Sequence, residues 1–235
     1  MNNVVVLITG ANRGIGFELT RQYLINGWTV IATCRNLESA VDLVSLKGQF
    51  PDKLFLELMY ITCPENIKTL AGKLSEENIK LDLIVNNAGY LDRENTSIHS
   101  IDYANAEMCF KVNSLGPLYL THCFLPLMNK KSLCKIAVIS SAMGSLSLEQ
   151  SVDWYGYRMS KAAANMLVVN LSKELVNDNV AVVAVHPGWV QTDMGGSTAS
   201  ENAVDSALGV MNVIRNLSID NTGSLYSFNG DQLPF

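Results

Sequence analysis

Short, continuous apolar runs alternate along this chain with longer segments of helical periodicity, and this alternation constrains the fold more than any other feature. The run "VVVLITG", from Val4 to Gly10, lacks alternating polar residues, which is typical of a strand buried on both faces. Similar runs follow: "WTVIATC", "KLFLELMYI", "LDLIVNNAG", "KIAVISS", "VAVVAVHPG" and "SLYSF". Repeated strand–helix–strand units require a parallel sheet whose right-handed crossovers place helices on both faces. We therefore predict an α/β protein with a doubly wound parallel sheet of about seven strands.

The helical segments between these strands complete the pattern. Gly27 suits the end of the first helix, and Pro64 suits the first turn of the third. Pro117 must either bend the fourth helical segment or mark a helix start within it. No linker, low-complexity run or repeat divides the chain, so we predict a single domain over residues 1–235. The predicted helices run from Gly14 to Gly27, Leu37 to Lys47, Pro64 to Leu74, Ile101 to Met128, Tyr155 to Asn177 and Ala203 to Arg215.

Composition argues against several classes of function. The net charge of −5, with no Lys/Arg cluster, offers no attraction to nucleic acid or to an anionic membrane. Five scattered cysteines without a C-x-x-C indicate reduced thiols, and three distant histidines give no zinc spacing, so no metal is expected. The first residues enter a strand pattern without a basic leader, and no apolar run reaches membrane-spanning length. These observations predict a cytoplasmic protein.

A glycine-rich loop, "TGANRGIG", joins the first strand to the first helix. Gly10 would allow a tight turn, Gly14 a close approach of the backbone to a phosphate, and Gly16 close packing of helix and sheet. The helix N-terminus would then hold a pyrophosphate with free N–H groups and the positive end of its dipole. An ordinary glycine-rich turn is the alternative. The strand and helix on either side favour a Rossmann-type dinucleotide site, which would also use Asn12, Arg13 and Ile15.

The end of the second strand indicates which nicotinamide cofactor is bound. A carboxylate there would bond the adenosine ribose and repel a 2′-phosphate. This chain instead has neutral Cys34 followed by Arg35, and Arg13 lies in the neighbouring loop. Each arginine alone could be a solvated surface charge. Together, as charge-assisted donors without a competing acid, they favour NADPH over NADH.

The segment "WYGYRMSKAAANM" places Tyr157 and Lys161 four residues apart, on one face of a helix. A lysine beside a phenol favours the phenolate and lowers its pKa. Many exposed helices carry the same pair by chance, so the pair is weak evidence on its own. Polar and glycine-rich residues also follow the other strands, in "CRN", "NNAG", "SSAMG" and "HPGWVQT". Ligands bind at the carboxyl edge of such sheets, where all these residues fall.

Six motifs in this order resemble the short-chain dehydrogenase/reductase family over nearly the whole chain. They are "TGANRGIG", "NNAG", "FKVNSLG", "ISSAMG", "YRMSK" and "HPGWVQT". Within the family, "TCRN", "YRMSKAA" and "HPGWVQTDMGG" look most like the sniffer-type carbonyl reductases and the related C-signal protein. Three departures stand out. Tyr60 replaces the acid that many relatives use for adenine, the loop between Ser141 and Tyr157 is longer than usual, and the segment 193–203 is short.

The resemblance implies a role for each site residue. Tyr157 would be the general acid in carbonyl reduction, and Lys161 would lower its pKa and bond the nicotinamide ribose. Ser141 would bond the substrate carbonyl, and Asn113 would hold a water that links Lys161 to solvent. The implied cofactor residues are Gly10, Asn12, Arg13, Gly14, Ile15, Gly16, Arg35, Asn87, Ala88, Gly89, Tyr157, Lys161, Pro187, Gly188, Val190 and Thr192.

The resulting prediction is an NADPH-dependent reductase that converts an aldehyde or ketone to an alcohol. One alternative is an NADP-binding signalling or regulatory protein with little turnover, which would need the glycine loop but not the four catalytic residues. Another is a 3-ketoacyl-type reductase, which the absence of basic residues in "DMGGSTASENA" disfavours. The short segment 193–203 predicts a mobile lid and an open site for varied small-molecule carbonyls. Relatives commonly form homodimers or homotetramers, which the resemblance extends to this chain.

Overall fold

The computed structural model describes residues 4–93, 96–148 and 153–235. In these ranges eight strands form one sheet in the order β3-β2-β1-β4-β5-β6-β7-β8, and every neighbouring pair is parallel except β7 and β8. The strands are β1 (Val5–Thr9), β2 (Thr29–Cys34), β3 (Leu54–Leu58), β4 (Leu83–Asn86), β5 (Cys134–Ile139), β6 (Val180–His186), β7 (Leu225–Ser227) and β8 (Gln232–Leu233). The helices are α1 (Gly14–Ile25), α2 (Val41–Gln49), α3 (Pro64–Glu76), α4 (Tyr103–Phe110), α5 (Gly116–Phe124), α6 (Tyr155–Glu174) and α7 (Ala203–Asn216).

The central strands are largely apolar because helices cover both faces of the sheet. Every residue of β1, β2 and β4 is buried. One face packs in a core with α3, α5 and α6, represented by Ile67, Leu120 and Val168. The other packs with α1, α2 and α7, represented by Leu19, Leu43 and Val210. The predicted doubly wound α/β sheet is confirmed, and strand order reverses direction between β1 and β4.

Three elements differ from the sequence-based expectation. Helix α2 begins at Val41 rather than Leu37, because the Asn36 side chain accepts hydrogen bonds from the N–H groups of Glu38 and Ser39 and holds a turn there. Strand β8 was not predicted, although Asn229 and Gly230 form a typical hairpin signal before it. The segment predicted as one long helix divides into α4, a π-helical turn at Lys111–Leu115, and α5, in whose first turn Pro117 lies.

All five cysteines lie within the described ranges, and all five are free thiols, as their spacing predicts. Among the described residues, no helix combines the length and the apolar character needed to cross a bilayer. No cluster of three or more potential metal ligands occurs in the same ranges.

Candidate active site

The glycine loop lies at the carboxyl edge where β1 and β4 diverge. Gly10 and Gly14 have φ angles of 64° and 55°, a left-handed conformation that favours glycine. A Cβ on Gly16 would lie 2.3 Å from the carbonyl oxygen of Gly10, so only glycine fits there. Among the described residues, no side chain caps the N-terminus of α1 and no acid occupies its first turn. The free N–H groups and the dipole therefore form an anion site that a dinucleotide pyrophosphate fits.

The residues after β4 lie directly against this loop. The side-chain amide of Asn87 donates to the carbonyl oxygens of Thr9 and Gly10, at 2.8 and 3.1 Å. The Thr9 hydroxyl accepts from the backbone N–H groups of Asn87 and Ala88. Gly89 follows and is exposed. The structure thus brings the predicted Asn87, Ala88 and Gly89 together with the glycine loop.

A cavity of about 360 Å³ lies at the end of β2, beside the glycine loop. Its described lining residues include two arginines and no carboxylate, which suits a 2′-phosphate better than a free ribose diol. Asn36 and Ser39 were missed by the sequence analysis, although Asn36 directly follows Arg35 in "CRN". Tyr60, half exposed, also lines the cavity, and the expectation that it or a neighbour replaces the adenine-binding acid of relatives stays a prediction. The lining residues are Asn12, Arg13, Arg35, Asn36, Ser39 and Tyr60.

The guanidinium group of Arg13 forms an ion pair with the Asp193 carboxylate, 180 residues away in sequence. Both side chains are largely exposed, so the pair is accessible to water and to a competing anion. Arg93 donates to the backbone carbonyl oxygens of Asp193 and Met194. The two arginines together hold the start of the segment 193–203 beside the glycine loop.

The segment after β6 closes the site from the other side. The Ser206 hydroxyl of α7 donates to the carbonyl oxygen of Pro187 at 2.7 Å, and Gly188 has a φ angle of 87°. Val190 is buried and bridges to Glu201. A Cβ on Gly14 would lie 3.0 Å from Thr192, so Thr192 contacts the glycine loop. Thr192 thus lies against the glycine loop, and the predicted Pro187, Gly188 and Val190 precede it on the same segment after β6.

Hydrogen bonds attach the segment 193–203 to the residues that follow β6, and the expectation that the segment is a mobile lid stays a prediction. The Trp189 indole donates to the carbonyl oxygen of Gly195 at 2.8 Å. The Gln191 side-chain amide donates to the carbonyl oxygen of Ala199, the Gln191 N–H donates to the carbonyl oxygen of Glu201, and the Glu201 N–H donates to that of Trp189. The segment is short, as predicted, and these contacts tie both of its ends to the residues after β6.

Tyr157, Lys161 and Ser141 converge at the carboxyl end of β5. Tyr157 and Lys161 occupy one buried face of α6, and Ser141 is the N-cap of a short 3-10 turn after β5. Burial raises the pKa of Tyr157 to about 12, and hydrogen bonding with Ser141 acts in the opposite direction. Burial lowers the pKa of Lys161 to about 8. A phenol with this pKa is protonated at neutral pH and can donate a proton.

In this structure burial, and not Lys161, is the main influence on the pKa of Tyr157, and the expectation that Lys161 lowers this pKa stays a prediction. The Lys161 ammonium donates to the carbonyl oxygen of Ile139 at 2.7 Å and lies 5.6 Å from the centre of the Tyr157 ring. Burial of the phenol therefore dominates its pKa. Sequence spacing placed the two side chains on one face, but it could not give their depth.

Asn113 lies buried in the π-helical turn between α4 and α5. Its amide donates to the carbonyl oxygen of Tyr90 at 2.8 Å and to the Ser160 hydroxyl at 2.9 Å, and it accepts from the N–H of Tyr90. Ser160 in turn donates to the carbonyl oxygen of Tyr157. Asn113 thus connects the segment after β4 to the helix that carries Tyr157 and Lys161. Its predicted role towards a water molecule stays a prediction.

Two further residues lie close to the site. Cys109, fully buried in α4, is near enough to Tyr157 and Lys161 to raise the pKa of both. No sequence pattern indicated that Cys109 lies close to these two residues. His186, the last residue of β6, is the second. Within the described chain its buried Nδ1 has no partner, and burial lowers its pKa to about 4.

A doubly wound sheet with an anion-binding glycine loop, and with serine, tyrosine and lysine at the same edge, defines the dinucleotide-dependent oxidoreductase class. The family model described as short chain dehydrogenase matches residues 4–203. The chain belongs to this family of oxidoreductases.

The most similar proteins narrow the comparison. The chain is 39% identical to the C-signal protein of Myxococcus xanthus over 155 aligned residues. The aligned region covers 66% of this chain and 93% of the C-signal protein. The NADPH-bound carbonyl reductase from chicken fatty liver is 32% identical, with a TM-score of 0.92 over 100% of both chains. The carbonyl reductase Sniffer of D. melanogaster is 26% identical, with a TM-score of 0.92 over 99% of each chain. The structural neighbours are thus sniffer-type carbonyl reductases, which supports a nicotinamide cofactor.

Proposed function

We propose that this protein is an NADPH-dependent carbonyl reductase that converts an aldehyde or ketone to an alcohol. The observation that carries the proposal is the convergence of Ser141, Tyr157 and Lys161 beside the glycine loop. Such a sheet edge binds the cofactor and the reacting group together. The reduced nicotinamide, when bound, supplies the hydride to the carbonyl carbon.

The protein residues supply the proton and the field. Tyr157 is the general acid, because its raised pKa keeps the phenol protonated at neutral pH until negative charge develops on the substrate oxygen. Ser141 donates a hydrogen bond to the same oxygen and stabilises that charge. Lys161 supplies a positive charge on the same face of α6 and, in this proposal, bonds the nicotinamide ribose. Asn113 orders the route by which Tyr157 regains its proton.

Preference for NADPH is supported by Arg13 and Arg35, which line the cavity at the end of β2. Their guanidinium groups are suited to a phosphate, since they give several charge-assisted hydrogen bonds in a fixed planar geometry. The NADPH-bound reductase from chicken liver supports the same choice by similarity. In this proposal the cofactor is held by the glycine loop, Asn87 to Gly89, and Pro187 to Thr192.

A regulatory protein with little turnover is the second candidate, because C-signal is among the most similar proteins. A 3-ketoacyl-type reductase is a third; the segment 193–203 offers no lysine or arginine for an anionic carrier. We also propose a single cytoplasmic domain that forms a homodimer or homotetramer. Partly exposed apolar residues on α5 and α6 support self-association: Leu118, Tyr119, Met159 and Met166.

Cofactor oxidation measured against a panel of aldehydes, diketones, quinones and a 3-ketoacyl thioester tests these candidates. The proposal predicts turnover of several small carbonyls with NADPH and much slower turnover with NADH. Tight NADPH binding without turnover of any panel member would favour the regulatory protein. Turnover restricted to the 3-ketoacyl thioester would favour the third candidate.

A further inference from the structure

Asn165 lies one helical turn after Lys161 and on the same face of α6. It is 3% exposed, and both the oxygen and the nitrogen of its amide have a hydrogen-bond partner. The side-chain oxygen accepts a hydrogen bond from the Ser140 hydroxyl at 2.6 Å, and the side-chain nitrogen donates to the carbonyl oxygen of Gly144 at 3.1 Å. Ser140 and Gly144 stand on either side of Ser141 in sequence.

The turn that carries Ser141 lies directly on α6. A Cβ on Gly144 would be 2.7 Å from the carbonyl carbon of Lys161, so no side chain separates the turn from the helix. Within the turn, the N–H of Gly144 donates to the carbonyl oxygen of Ser141, and the N–H of Met143 donates to its hydroxyl oxygen. These bonds fix the shape of the turn, whereas Asn165 fixes both of its ends to the helix that carries Tyr157.

We propose that Asn165 is a positioning residue whose amide clamps the Ser140–Gly144 turn to α6 and so holds the Ser141 hydroxyl at the Tyr157 phenol. The inference rests on the proposed carbonyl reductase function. Catalytic hydrogen bonds lose much of their effect when a donor moves by about 1 Å, so a clamp of this kind acts on rate more than on binding.

An amide is needed because the clamp requires an acceptor and a donor on one short planar group. Aspartate could accept from Ser140 but could not donate to Gly144 when ionised. Alanine would leave both partners unpaired. Asn165 is not one of the serine, tyrosine and lysine that define the site. Its two hydrogen bonds go to Ser140 and Gly144 and not to any of those three side chains.

Steady-state kinetics of Asn165→Ala in two backgrounds tests the proposal. In the wild-type background we expect kcat to fall roughly tenfold to a hundredfold, with the dissociation constant of NADPH changed by less than about threefold. In the Ser141→Ala background the same substitution should have little further effect, because Asn165 acts through Ser141. An equal loss in both backgrounds would overturn the proposal.

Matched variants on the same helix separate positioning from stability. Asn170→Ala removes an exposed amide and should leave kcat unchanged. Val168→Ala opens a core cavity and should lower the melting temperature without the loss of kcat. Ser140→Ala removes one arm of the clamp and should reproduce part of the loss, which keeps the proposal testable if Asn165→Ala does not fold. A Val168→Ala enzyme as impaired as Asn165→Ala would overturn it.

Hydrogen exchange gives a readout that needs neither substrate nor turnover. We expect Asn165→Ala to speed exchange of the Met143 and Gly144 amides at least about tenfold, while Asn170→Ala leaves them protected. Unchanged exchange in Asn165→Ala would overturn the clamp. If the wild-type protein reduces no carbonyl while the clamp is seen by exchange, the proposed function fails and the structural role of Asn165 stands.

Discussion

The Lys161 ammonium lies 5.6 Å from the centre of the Tyr157 ring and donates its hydrogen bond to the carbonyl oxygen of Ile139 at 2.7 Å. The two side chains share a face of α6, yet burial moves their pKa values apart, to about 8 for Lys161 and about 12 for Tyr157. Both shifts disfavour the charged form, as burial does for any ionisable group. The pair therefore combines a buried cation with a phenol that keeps its proton.

Lys161→Met should make the protein more stable at neutral pH while abolishing turnover. The folded-state pKa of about 8 lies below the unfolded value of 10.5, so between these values the unfolded chain binds more protons and the Lys161 contribution to stability rises with pH. The variant should thus gain on the order of 3 kcal/mol at pH 7 and lose that advantage towards pH 10.5. Chemical denaturation across this range measures it. The exposed Lys173→Met is the control. A difference in unfolding free energy between Lys161→Met and wild type that stays constant from pH 7 to pH 10.5 would contradict the prediction.

His186→Gln should make the protein less sensitive to acid. The folded-state pKa of His186, about 4, lies below the unfolded value of 6.5, so the neutral imidazole contributes stability that is lost as pH falls from 6.5 to 4. Wild type should lose on the order of 2–3 kcal/mol more than the variant over this window. Urea unfolding at pH 7 and pH 4.5 compares them, with exposed His122→Gln as the control. Equal acid sensitivity in wild type and His186→Gln would show that His186 takes up a proton in the folded protein.

Arg35→Ala should weaken NADPH binding roughly tenfold to a hundredfold, since charge-assisted hydrogen bonds to a phosphate are lost. NADH binding should change little, because NADH lacks the 2′-phosphate. Cofactor fluorescence titration gives both dissociation constants. Arg21→Ala, which removes an arginine paired with Glu18 on α1, is the matched control. A similar loss of both cofactors in Arg35→Ala would place Arg35 away from the 2′-phosphate.

Asp193→Asn should strengthen NADPH binding about twofold to fivefold, a size expected for an exposed ion pair. The Asp193 carboxylate forms an ion pair with the Arg13 guanidinium and so competes with the 2′-phosphate for it. Titration with 2′,5′-ADP isolates the phosphate contact from the nicotinamide. The gain should vanish in an Arg13→Ala background, and a gain that persists there would mean that Asp193 acts through another group.

The fold was predictable because strands buried on both faces show as unbroken apolar runs, and because the carboxyl ends of parallel strands share one edge. These two facts bring Gly14, Asn87 and Thr192 together without any knowledge of distances. Strand β8 was not predicted because a strand of two residues is too short to show an apolar pattern. The Asn229-Gly230 dipeptide, which is typical of hairpin turns, was the available signal.

The sequence could not predict features that depend on how deeply a side chain is buried or on contacts between residues far apart in the chain. The pKa of Tyr157 is set mainly by the burial of its phenol, which the sequence does not give. The pairing of Arg13 with Asp193 joins residues 180 positions apart. Asn165 carries no signal in "KAAANM", because its two partners belong to a turn more than 20 residues earlier.

The reduction of a small carbonyl by NADPH, measured in wild type and in Tyr157→Phe, tests whether Tyr157 donates the proton. Tyr155→Phe, two residues earlier on the same helix, is the matched control. We expect the kcat of Tyr157→Phe to be about 10²–10⁴-fold below that of wild type while NADPH still binds, and we expect Tyr155→Phe to keep its activity. Wild-type turnover that survives in Tyr157→Phe would show that another group donates the proton and would contradict the account.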